Sequence, residues 1–167
     1  KMQGNTYFED TFSKWQIDSY NSKNYAFYLL DNATMTMNSL NINVKELLAY
    51  SLNNSLMKFD HVDILSETNT NMFKIADRSR AEIISSKLDV YSVAKLKNYS
   101  NIIIKKCSVY VKDFIINLIG DSKAFIKKTL FKNLNKNEVA AFEALHNSKI
   151  NINDTTIDNF YIGIKYE

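Results

Sequence analysis

The chain of 167 residues has no proline and only three glycines, Gly4, Gly120 and Gly163. The two strongest helix breakers are almost missing, so long helices can run uninterrupted. An all-β sandwich draws heavily on Gly and Pro for its turns, and their scarcity argues against that class. One cysteine, Cys107, excludes an internal disulfide and points to a reducing, cytoplasmic setting. With glycine at three scattered positions, glycine-rich phosphate-cradling loops cannot be written. No signal peptide is visible. The longest apolar region, residues 102–119, is broken by Lys105, Lys106, Lys112 and Asp113, so no transmembrane segment is expected. Arginine occurs only as Arg78 and Arg80. The chain opens on Lys1 rather than Met, as a fragment or a processed product would.

What is present points to one folded domain over residues 1–167. Apolar residues make up 46%, with ten Phe and ten Tyr, too many for a disordered chain. Lys, Asn and Ile are abundant, as AT-rich coding would produce. Asn32-Ala-Thr, Asn53-Asn-Ser, Asn98-Tyr-Ser and Asn153-Asp-Thr match the glycosylation pattern, but with this much Asn they carry no information on secretion.

Periodicity reads mostly as helix. Apolar positions predict helices over 6–20, 22–37, 44–59 (capped by Asn43) and 71–88. A polar connection falls at 60–70. A fifth helix is expected over 89–118, where Asn101, Lys105, Ser108 and Lys112 at i, i+4, i+7 and i+11 form a polar stripe on an apolar cylinder. Its many β-branched residues leave strand open as the alternative. Gly120 would end it, Asp121 or Ser122 would cap the next helix, and Asn135 or Asn137 would cap the last. Residues 39–44 alternate as a short strand or extended linker, and Phe160 to Tyr166 alternate as a C-terminal strand that pairs with 39–44 or with a second copy. No linker, internal repeat or composition break stands out. The expected fold is mainly α: a bundle of five to seven helices over 1–150 with a strand extension over 151–167.

Charge is unevenly placed. Residues 95–136 hold ten Lys against two Asp, flanked by segments that are net acidic. On a helix, Ile126, Leu130 and Leu134 would form an apolar row and Lys128, Lys132 and Lys136 a row on the opposite side, with Lys123 and Lys127 on the flank. The plain reading of such a row is the solvated face of an amphipathic helix; like charges at i, i+4 repel slightly, and that cost makes a tertiary or external anion the second reading. The expected role is a non-catalytic protein-binding module, with these five lysines plus Arg78 and Arg80 as its surface. Its partner would be an acidic protein or a second copy. The alternative is sequence-nonspecific nucleic-acid or phosphate binding, since lysines without arginines read no base edges.

The candidates for chemistry are thin, and neither cofactor nor metal is expected. Asp60-His61-Val-Asp63 reads as a loop, Glu143-Ala-Leu-His146 is half of a di-iron pattern, and Cys107 reads as a buried structural thiol. Arg78 would pair with Glu82 along a helix. The segment Leu56 to Ile64, LMKFDHVDI, resembles a stretch of the poxviral Bcl-2-like family of small helical immunomodulators. Trp15 on an early helix and the AT-rich composition point the same way. The resemblance covers about nine residues. It implies a helical bundle that binds host signalling proteins and catalyses nothing.

Overall fold

The computed structural model describes residues 7–11, 14–17, 25–44, 47–66, 69–135 and 139–166. None of these is helical. The chain forms a parallel β-solenoid of about six turns, built from three seven-stranded sheets. Sheet I stacks β1 (Tyr7–Thr11), β4 (Thr34–Asn38), β7 (Leu56–Asp60), β10 (Arg80–Ile84), β13 (Asn101–Lys105), β16 (Lys123–Lys127) and β19 (Lys149–Asn153). Sheet II stacks β2 (Lys14–Ile17), β5 (Asn41–Val44), β8 (Asp63–Ser66), β11 (Lys87–Val90), β14 (Ser108–Val111), β17 (Leu130–Asn133) and β20 (Thr156–Asp158). Sheet III stacks β3 (Tyr25–Leu29), β6 (Leu47–Ser51), β9 (Asn71–Ile75), β12 (Ser92–Lys97), β15 (Ile116–Ile119), β18 (Ala140–Leu145) and β21 (Ile162–Tyr166).

In sheets I and II these residues make strands because inward apolar and outward side chains alternate within short runs, whereas several sheet III strands carry consecutive buried residues such as Leu47, Leu48 and Ala49. In β16, Ala124 and Ile126 are buried while Lys123, Phe125 and Lys127 are exposed. The inward residues of all three sheets meet in one core. Met35, Met57, Phe59, Ile83, Ile104 and Ile126 enter from sheet I, Ile64, Leu88, Val109 and Phe131 from sheet II, and Phe73, Leu96, Leu118 and Phe142 from sheet III. Aromatic rings interlock across it: Phe59 and Phe73 lie 5.1 Å apart, and Phe131 meets Phe142 edge-on at 5.7 Å.

The corners explain how a chain with so little glycine can turn so often. Each passage from sheet III to sheet I puts residues in the left-handed region: Asp31 and Asn32, Asn53 and Asn54, Asp77 and Arg78, Asn98 and Tyr99, Gly120 and Asp121, then His146. Each described passage from sheet I to sheet II uses one: Ser39, His61, Ser85, Lys106, Lys128 and Asp154. Asn and Asp tolerate positive φ better than other L-residues, because the short polar side chain can bond locally. The parallel ladder continues through the corners, as in Asn32 N to Asn53 O at 3.0 Å and Arg78 N to Asn98 O at 3.0 Å. Just inside the first corner a column of serines (Ser55, Ser79, Ser100, Ser122, Ser148) is buried. Ser122 Oγ donates to Ile119 O at 2.8 Å and Ser148 Oγ to Leu145 O at 2.8 Å, satisfying carbonyls that the turn releases.

This architecture overturns the helical-bundle expectation. Every described part of the segments read as helices over 6–20, 22–37, 44–59, 71–88, 89–118 and 121–149 consists of strands and corners. The extended reading of 39–44 holds for β5. The C-terminal alternation is indeed a strand, but β21 pairs with β18 and not with residues 39–44. The Bcl-2-like resemblance fails with the helices: LMKFDHVDI is strand β7, a corner at His61 and Val62, and the start of β8, and Trp15 lies on β2. The chain also carries the internal repeat that its sequence did not show.

Candidate functional site: an outward groove on sheet I

Parallel register places outward side chains of successive strands directly above one another. On sheet I this gives three rows that run across the strands. One margin carries Leu56, Arg80, Asn101, Lys123 and Lys149. The centre carries Lys58, Glu82, Ile103, Phe125 and Asn151. The other margin carries Asp60, Ile84, Lys105, Lys127 and Asn153. From β10 to β19 the rows bound a groove of about 520 Å³, lined by Arg80, Asn101, Ile103, Lys105, Phe125, Lys127, Asn151 and Asn153. An adjoining depression of about 530 Å³ shares Phe125 and Asn151 and adds Lys123 and Lys149.

Phe125 is the feature that most needs an explanation. A large ring stands 43% exposed in the middle of a sheet face, with Ile103 beside it one strand away. Lys105 faces Lys127, and Lys123 faces Lys149, as direct neighbours on adjacent strands. Like charges placed this way oppose folding. Among the described residues none of these four lysines has an ion-pair partner. At the groove's far end Arg80 is held by Glu82, with Nη2 to Oε1 at 2.8 Å. That pair lies at i, i+2 on one strand face and replaces the expected helical pairing of Arg78 with Glu82.

The seven residues read from the sequence as a surface scatter over the solenoid. Lys123, Lys127 and Arg80 meet on the outer face of sheet I. Lys128 sits in a corner at φ 52°, and Arg78 in another at φ 66°. Lys132 lies on sheet II, with Nζ 4.0 Å from Asp158 Oδ2. Lys136 lies outside the described residues. The lysine-rich helical face therefore does not exist: Ile126 points into the core, while Leu130 belongs to the outward set of sheet II. Sequence reasoning missed Lys105, Phe125, Lys149, Asn151 and Asn153. Strand alternation around Phe125 held the signal, but a helical reading of the same residues concealed it.

No family model, curated protein or solved structure matches the chain. The site is therefore read from its own chemistry.

Other candidates dissolve on inspection. His61 Nδ1 lies 2.9 Å from Asp60 Oδ1 on an exposed corner, and Asp63 has moved to the next sheet. Glu143 faces outward on β18, where Asn117 Nδ2 donates to its Oε2 at 2.6 Å, while His146 occupies a corner. Among the described residues no three His, Cys, Asp or Glu side chains converge as metal ligands. Burial, with Glu143 adding to it, raises the Asp113 carboxyl above its ordinary value.

Cys107 is buried, but in a corner between sheets I and II, where its Sγ lies 3.2 Å from Lys105 O. Burial pushes its thiol from 9.0 up to about 11. A raised folded-state value means the native state keeps a proton that the unfolded state gives up first. The resulting stability is complete below about pH 9 and lost as pH rises towards about 11, for a difference of about 2–3 kcal/mol. Urea unfolding at pH 8 and pH 10.5 should show a steeper loss in the native protein than in a Cys107→Ala variant. Equal losses in the two proteins would contradict the burial argument.

Proposed function

We propose that the protein is a non-catalytic binder of an extended acidic polysaccharide, which lies along the solenoid axis in the sheet I groove. The supporting observation is the combination of an exposed Phe125–Ile103 centre, unneutralised lysines on both margins, and amides from Asn101, Asn151 and Asn153. A sugar ring offers an apolar face to an aromatic ring, hydroxyls to amides and, in an acidic sugar, carboxylates to ammonium groups. Rung spacing supports the same choice. Adjacent strands are about 4.8 Å apart, close to the length of one sugar ring, whereas same-side residues of an extended peptide recur at about 6.6 Å. An acidic protein segment or a second copy of the chain, the partners expected from the sequence, would fit this ladder less well. Glu82, the carboxylate on the central row, is engaged by Arg80, which favours a binding role over a reactive one. Among the described residues no helix is long and apolar enough to cross a membrane.

Calorimetric titration with a polyuronate oligomer, its neutral counterpart and poly-glutamate tests this reading. The acidic sugar should bind, more tightly at low salt, and the neutral sugar should not. Lys105→Glu with Lys127→Glu should weaken binding at least about tenfold, and Phe125→Ala by about tenfold. Binding of poly-glutamate as tight as the sugar, or full affinity in Phe125→Ala, would reject it.

A further inference from the structure

A second cationic constellation lies on a different face and owes nothing to the sheet I groove. Along the outer row of sheet III, register places Tyr28, Tyr50, Lys74, Lys95, Asn117 and Glu143 in succession. The row divides by chemistry. At one end Tyr28 and Tyr50 meet edge-on with centroids 5.5 Å apart. Towards the other, Asn117 Nδ2 donates to Glu143 Oε2 at 2.6 Å, and Lys165 follows Glu143 in register. Between them Lys74 and Lys95 stand directly opposite each other on adjacent strands, and Lys97 lies two residues further along the same face. Among the described residues none of these three lysines has an ion-pair partner. They line a depression of about 240 Å³ with Tyr50 at its edge.

We infer that this depression binds a phosphate monoester, with the dianion between Lys74 and Lys95 and its organic group against Tyr50 and Tyr28. Two ammonium groups one rung apart repel each other, and a tetrahedral dianion between them turns that repulsion into two charge-assisted hydrogen bonds. Lys97 reaches the same space from the side. Burial, helped by Tyr28 and Asp77, raises the Tyr50 hydroxyl above its ordinary value. It therefore remains a neutral hydrogen-bond donor at physiological pH. The aromatic pair gives the ester's organic part an apolar floor, so an aromatic ester fits better than the bare ion.

Phosphorus NMR titrations with phenyl phosphate and with inorganic phosphate provide the test. Phenyl phosphate should bind several-fold more tightly than inorganic phosphate. The variant Lys74→Gln with Lys95→Gln should weaken both at least about tenfold. That variant removes a like-charge contact, so its melting temperature should stay level or rise, which separates lost binding from lost folding. Lys105→Gln with Lys127→Gln on sheet I should leave phosphate binding unchanged. The inference is overturned if the sheet III variant binds as the native protein does, if the sheet I variant abolishes binding, or if neither phosphate binds.

Discussion

Replacing Phe73 by Ala should lower the unfolding free energy by about 3–5 kcal/mol. Phe73 is fully buried on β9, and its ring packs 5.1 Å from that of Phe59. Its direct neighbours in the sheet III ladder are Ala49 and Ala94. Small residues above and below let one large ring fill the space of three rungs. They also mean that neither ladder neighbour can swing in when the ring is removed, which favours a persistent cavity and a cost within the usual range. Phe125→Ala removes the same side chain from the surface and should change stability by no more than about 0.5 kcal/mol. Urea denaturation of the two variants side by side checks the contrast. A Phe73→Ala cost under about 1 kcal/mol would mean that the interior repacks freely.

The second large effect belongs to the corners. Asp77→Val with Arg78→Val places two β-branched residues at φ 53° and φ 66°. Each should cost about 1–2 kcal/mol, because the branched side chain collides with its own backbone in that region. Asp77→Gly with Arg78→Gly meets no such collision and should retain most of the native stability. Thermal melts of the pair should therefore diverge, with the valine variant well below the glycine one. Equal melting temperatures would show that the left-handed corners are not what limits the turn.

Those corners also account for what the sequence concealed. Scarce Gly and Pro argued against an all-β chain because strands need turns. Here the turns are made largely by Asn and Asp, and the abundance attributed to coding bias is in part conformational. Asn53-Asn-Ser and Asn98-Tyr-Ser show the same cause: a left-handed Asn followed two residues later by buried Ser55 or Ser100 happens to spell an acceptor pattern. The helical stripe of Asn101, Lys105, Ser108 and Lys112 has an equally simple origin. β13 and its two-residue corner together span seven residues, close to two helical turns, so Asn101 and Lys105 at the strand's ends, with Ser108 and Lys112 seven residues on, imitate one side of a helix. Only segments long enough to show pure alternation, 39–44 and the C-terminal strand, could be read correctly. The repeat escaped notice because its marker serines fall 21 to 26 residues apart, at no fixed period. Of the groove, Arg80, Lys123 and Lys127 were legible as charges. Their convergence with Phe125 and Lys105 depends on register between distant strands, which local spacing does not encode.

The irregular period comes mainly from one passage. The corner from sheet I to sheet II always takes two residues, whereas the passage from sheet II to sheet III takes one at Tyr91, four at 112–115 and six at 134–139. The passage from sheet III to sheet I varies only between three and four residues, so most of the length variation falls on the edge between sheets II and III, where extra chain leaves the ladders on either side in step. That edge is the molecule's natural splice point: a guest loop grafted at the exposed Leu134 and Asn135 would leave both faces carrying lysine pairs with their spacing unchanged.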